Sequence, residues 1–124
     1  MTITNAFASV AVNDQKQSVK WYERIFGRPP DSTPSSELAE WQFEQGGRLQ
    51  VYQLTERAGR GSFTLAVSNL NEQIAALRKV GIDPGTPMIN EKIKVVMIKD
   101  PDGNSIAFAE TTDRGMRTRG LACG

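Results

Sequence analysis

Apolar and polar positions in this chain change period at a fixed point, and the change occurs twice. From Phe7 to Val12 apolar and small residues alternate as in a half-buried strand; beyond it Val19, Tyr22, Ile25 and Phe26 follow helical spacing. Asp14 stands between the two patterns as an N-cap with Gln17 three residues on, and Gly27 is a natural helix stop. A shift of 55 residues, from Phe7 to Ser62, brings up SFTLAVSNLNEQIAALRKVGI, in which Val10, Val12, Asp14, Val19, Tyr22 and Ile25 fall on Leu65, Val67, Asn69, Ile74, Leu77 and Val80. That period is too long for a solenoid unit in a chain of 124 residues, so it predicts a duplicated half-domain.

The stretches after each strand–helix pair read as further strands. LAEWQFEQ, residues 38–45, sets Trp41 and Phe43 on one face and Gln42 and Glu44 on the other. Gly46-Gly47 turns the chain into RLQVYQL, so the two strands are predicted to form a hairpin. RPPDSTPSSE holds three of the six prolines and is predicted as an exposed connection, and TERAGRG, residues 55–61, as a polar linker between the halves. In the second half the pattern predicts a strand over 62–67, a helix over about 70–80, a short or edge strand around IDPGTPM, and a well-buried strand in KIKVVMIKD. PDGN then turns directly into SIAFAE, with Asp102-Gly103 as the hairpin signal. Residues 112–124, TDRGMRTRGLACG, show no apolar period and are predicted to be a flexible basic tail.

Composition removes several functional classes. Fifteen basic against fourteen acidic residues leave a formal charge of +1, without the electrostatic footprint of a nucleic-acid binder. No run of 18 apolar residues and no basic-then-apolar leader occurs in the sequence, so no membrane partner is expected. The single cysteine, Cys123, can close no internal bridge, and a cytoplasmic location is the simplest expectation. Histidine is absent, which takes away the commonest metal ligand and the commonest acid–base group near neutral pH. No serine has a His or Lys at a known activating spacing.

SVAVNDQKQSVKWYERIFG near the start and KDPDGNSIAFAE near the end, around a duplicated strand–helix–strands unit, resemble the glyoxalase, bleomycin-resistance and extradiol-dioxygenase superfamily, the vicinal oxygen chelate proteins. The resemblance covers roughly residues 3–111. It implies an α+β fold of two tandem βαβββ modules, about 3–54 and 60–111, within one domain of residues 1–111, their strands forming a curled, cup-shaped mixed sheet with the ligand on its concave face. It also implies a homodimer, since members commonly close the cup with a second chain. Family enzymes chelate one divalent ion through the first and last strands of each module; the matching positions here are Phe7, Gln50, Ser62 and Ala107. Gln50 alone offers an oxygen, so neither a metal nor any other cofactor is expected.

If the ligand positions face the cup, the period of two sends Phe7, Ser9, Ala11, Ser62, Thr64, Gln50, Tyr52 and Ala107 inward, and Val10, Val12, Leu65 and Val67 toward the helices. Trp41 and Phe43 are read either as stacking surfaces for a planar ligand or as plain core. The expected ligand contacts are therefore Phe7, Ser9, Trp41, Phe43, Gln50, Tyr52, Ser62, Thr64 and Ala107. The leading expectation is a metal-independent small-molecule binder of the bleomycin-resistance kind, possessing no obvious acidic groove for a cationic drug. A metal-free lyase or isomerase using Glu40, Glu44, Glu56 or Tyr52, and a ligand-free structural dimer module, are the alternatives.

Overall fold

The structure is a computed structural model describing residues 2–111. The expected tail lies outside the described residues. The elements run β1 (Phe7–Val12), α1 (Gln15–Phe26), β2 (Ser32–Ser35), β3 (Leu38–Gln42), β4 (Arg48–Gln53), a 3-10 turn at Thr55–Arg57, β5 (Ser62–Ala66), α2 (Leu70–Lys79), β6 (Met88–Ile89), β7 (Ile93–Lys99) and β8 (Ser105–Thr111). They form two four-stranded sheets, β1-β4-β3-β2 and β5-β8-β7-β6, so the same strand order is drawn twice. In the first, β1 runs parallel to β4 while β3 is antiparallel to both β4 and β2.

The duplication reaches down to the caps. Asp14 accepts the backbone N–H of Gln17 at 3.1 Å, and Asn69, 55 residues on, accepts that of Glu72 at 3.0 Å. Each satisfies one of the amide donors that a helix start leaves open. Gly27 closes α1 at φ 72°, its N–H returning to Glu23. The hairpin turns repeat at a shift of 57: Gly46 and Gly103 have φ of 97° and 99°, donating to Phe43 and Asp100 respectively.

The described chain falls into two compact units: residues up to Phe63 with Lys99–Ser105, and Thr64–Ile98 with Ile106 onward. In the first, α1 covers Val10, Val12, Ala39, Trp41, Leu49 and Val51 with Tyr22 and Ile25. The aromatic rings cluster, Phe26 lying 5.2 Å from Trp41 and 5.6 Å from Phe43 between centroids. In the second unit, Leu70, Ile74 and Leu77 of α2 are buried, as are Val96, Ile98, Ile106 and Phe108 of β7 and β8.

Two expectations change. The proline-rich connection contains β2, whose four residues are all exposed and therefore carry no period-2 signal. Its partner strand and the Asp31 carboxylate hold it in place: Asp31 Oδ2 accepts the Gln42 N–H at 2.6 Å and the Arg28 guanidinium at 2.7 Å. These donors, the Gln42 amide foremost, hold Asp31 below the usual carboxylate range. In KIKVVMIKD, Val96 and Ile98 are buried but Met97 is 58 % exposed, so β7 is half-buried, with one face packed and one open.

The Asp100–Asn104 turn does more than reverse the chain. Asp100 is buried; its Oδ2 accepts the Tyr22 hydroxyl at 2.8 Å and Asn104 Nδ2 at 2.8 Å, and its Oδ1 accepts the N–H groups of Asp102 and Asn104. Asn104, fully buried, also donates to the Ala11 carbonyl and accepts from the Gly61 N–H. Burial, then the charge of Asp100, hold the Tyr22 phenol far above its ordinary value of 10. Above pH 10 the unfolded chain releases this proton while the folded one keeps it, so the native state loses stability as pH rises. Tyr22→Phe removes a charge-assisted bond and is expected to cost about 1.5–3 kcal/mol at pH 7. It should also flatten the alkaline fall in stability above pH 10, measured by urea unfolding of both proteins across pH 7–11.

Candidate functional site

The face of the first sheet turned away from α1 is built by register. β1, β4 and β3 align Phe7 with Arg48 and Gln42, Ser9 with Gln50 and Glu40, and Ala11 with Tyr52 and Leu38. Residues in one row share a face, because strand side chains alternate. The middle row is a continuous polar chain. Ser9 Oγ donates to Gln50 Oε1 at 3.0 Å, and Gln50 Nε2 donates to Glu40 Oε2 at 3.0 Å. Arg48 Nη1 closes the chain on Glu40 Oε1 at 2.8 Å, and the Arg48 guanidinium lies 5.1 Å above the Phe7 ring.

Glu40 anchors this arrangement. Its side chain is only 10 % exposed against 38 % for Arg48, and both its oxygens are taken. A buried carboxylate is tolerable only when its lone pairs are met in this way. Glu40 is thus occupied as an acceptor, which counts against the acid–base role weighed for it.

Phe7, Ser9, Gln50 and Tyr52 are brought onto this one face. Trp41 and Phe43 are not: Trp41 is fully buried on the helix side, its Nε1 donating to the Arg28 carbonyl at 3.2 Å, and Phe43 meets Phe26. Their reading as ligand-stacking surfaces gives way to the core reading, because α1 supplies the aromatic partners. Ser62 opens β5 and is exposed, as is Thr64, while Ala107 is half-buried in β8. Arg48 was missed. No local motif marks it; only its register opposite Phe7 at the head of β4 places it on this face.

The four family ligand positions do not make a metal centre. Phe7 offers no donor and lies beneath a cation, and the oxygen of Gln50 already accepts from Ser9. Among the described residues no group of three or more His, Cys, Asp or Glu side chains gathers into a metal-holding cluster. The divalent ion of the chelating enzymes does not fit the residues present. A separate cleft of about 380 Å³ lies between α1 and the Asp100–Asn104 turn, lined by Asp14, Ser18, Trp21, Pro101 and Asp102 among others, and holds none of the expected site residues.

No protein-family model matches the chain, and no curated protein matches it either. Solved structures do. A glyoxalase/bleomycin-resistance protein from Catenulispora acidiphila is 32 % identical, with a TM-score of 0.79 over 87 % of this chain and 98 % of that one. The bleomycin resistance determinant encoded on transposon Tn5 is 17 % identical, with a TM-score of 0.74 over 89 % of this chain and 99 % of that one. TnmS3, an antibiotic-binding protein from a Streptomyces species, is 19 % identical, with a TM-score of 0.74 over 90 % and 99 %. The last two likenesses speak for the fold alone. The first, at its identity and coverage and joined to the doubled βαβββ order, shows that this chain belongs to the glyoxalase/bleomycin-resistance family of vicinal oxygen chelate proteins.

Proposed function

We propose that this chain binds a small organic molecule without a metal ion, sequestering an antibiotic or a metabolite. The observation that carries the reading is the Ser9–Gln50–Glu40–Arg48 chain, which occupies the family's ligand position in the first unit with a satisfied polar row. It sets a cation and two aromatic side chains, Phe7 and Tyr52, on an open sheet face. The likeness in fold to a bleomycin resistance determinant and to an antibiotic-binding protein supports a binding rather than a chelating role. Ser62, Thr64 and Ala107 of the second half of the chain are proposed as further contacts, small side chains that leave room for a ligand.

A two-fold homodimer is part of the proposal. Met88, Ile89 and Met97 of the second unit are large apolar side chains that remain well exposed, and β6 leaves a short sheet edge. No helix among the described residues is long and apolar enough to cross a membrane, and a cytoplasmic location is proposed with the rest.

Three outcomes are expected. A thermal-shift panel of antibiotics and aromatic metabolites should contain stabilising ligands whose effect survives a chelator, whereas Zn²⁺, Ni²⁺ and Mn²⁺ alone give no shift. A panel with no hit, or one tightly held ion per chain by elemental analysis, would overturn the reading. Ala107→Trp should abolish the shift caused by a panel hit while the unfolding midpoint of the free protein is kept; a sharp fall in that midpoint, from about 1–3 kcal/mol of overpacking, would show packed core instead. Light scattering should give twice the chain mass of 13.6 kDa, and a concentration-independent monomer would refute the dimer.

A further inference from the structure

We propose that the ligand taken up on the open face of the first sheet is an aromatic anion, an aryl carboxylate or phenolate, selected by the outward guanidinium of Arg48 over Phe7. This rests on the reading of that face as a binding site and adds the charge and class of what it holds.

The face carries nine side chains by register, and Glu40 and Arg48 are the two charged ones. As a pair they sum to zero, but they sit at different depths. Glu40 is sunk, with both oxygens occupied, while Arg48 is 38 % exposed. The pair is therefore a dipole with its positive end toward a ligand. A cation approaching this face meets a like charge, while the carboxylate is 10 % exposed and each of its oxygens already accepts a hydrogen bond.

Arg48 spends Nη1 on Glu40, and no described residue accepts from its Nε or Nη2. That edge of the guanidinium can grip a carboxylate with two parallel N–H donors, without displacing Glu40. Glu40 and Phe7 hold the guanidinium in place beforehand, so little freedom is lost when an anion binds. The aromatic part of the ligand is assigned by Phe7, which is 50 % exposed beside the cation, and by Tyr52 two rows along the same face. The selection is opposite in sign to that of an acidic groove built for a cationic drug.

A matched series tests this: 2-naphthoate, 2-naphthamide and 2-naphthylmethylammonium, titrated separately into the ¹⁵N-labelled full chain. The shifts of the Ser9, Arg48 and Gln50 backbone amides are followed up to about 10 mM probe, where weak binding is readable. Naphthoate should bind about tenfold or more tightly than the ammonium, with the amide between, and the gap should narrow as salt is added. Arg48→Lys should keep that order with weaker naphthoate binding, because the charge stays and the two-donor edge goes. Arg48→Gln should bring the three probes within about twofold of one another. Should Arg48→Gln fail to fold, the wild-type series and Arg48→Lys decide the matter. Neutral or cationic probes binding this face as tightly as naphthoate would overturn anion selection and leave the binding reading standing. Absence of any shift on this face with naphthoate would overturn it as well, and the broader panel separately judges whether the chain binds small molecules at all.

Discussion

A carboxylate withdrawn from water must have its lone pairs filled, and Asp100 shows how much structure one such demand can organise. Its four donors come from Tyr22 in α1 and from the amides and side chain of its own turn, and Asn104 carries the connection on to β1 and to the Gly61 amide. Residues 99–105, late in sequence, thereby belong to the compact unit formed by the first half of the chain. The close approach extends to Gly59, where a Cβ would stand 2.3 Å from the Asp102 carbonyl oxygen and where φ is +84°. Removing one donor therefore affects a helix, a strand and two loops together, which is the behaviour of a coupled polar network rather than of a single bond.

The same turn in the first copy is held by other means. Phe43 occupies the place of Asp100, Gly47 that of Asn104, and the backbone bonds Phe43 N–H to Gly47 O and Asp100 N–H to Asn104 O correspond. Phe43 packs on Phe26, so one copy of the turn is fixed by aromatic contact and the other by charge and hydrogen bonds. Leu77, the counterpart of Tyr22, is buried but apolar. Duplication preserved backbone geometry while the two cores took different chemistry.

The helices and their ends were legible in the sequence because each rests on local rules: Asp14 and Asn69 cap by reaching three residues ahead, and Gly27 supplies a left-handed stop. β2 was not, since an edge strand with all four residues exposed has no buried side to mark. The faces of β3 were half legible. Alternation separates Trp41 from Glu40 but does not say which side meets a helix, and that answer comes from Tyr22 and Phe26, residues distant in sequence. Glu40 and Arg48 lie eight residues apart across a hairpin, and only the pairing of Glu40 with Gln50 and of Arg48 with Phe7 shows that they share that face. Ser9, Gln50 and Phe7, by contrast, were placed on their common face by the family register.

Gln50, the one family ligand position here that offers an oxygen, has a place in the sheet by the same physics. Its amide is the middle link between the Ser9 hydroxyl and the Glu40 carboxylate, tying β1, β4 and β3 in one row. An apolar side chain there would leave one oxygen of a nearly buried carboxylate unmet, at a cost of about 1–3 kcal/mol or more. Glu40 in turn must stay to hold Arg48, and Arg48 to neutralise Glu40. Each polar residue of the row is thus required by its neighbour inside the sheet, and the guanidinium of Arg48, 38 % exposed, keeps donors to spare beyond the one it gives to Glu40. Fold and surface meet at that point: what keeps the open face from collapsing into apolar core also fixes the charge that the face shows.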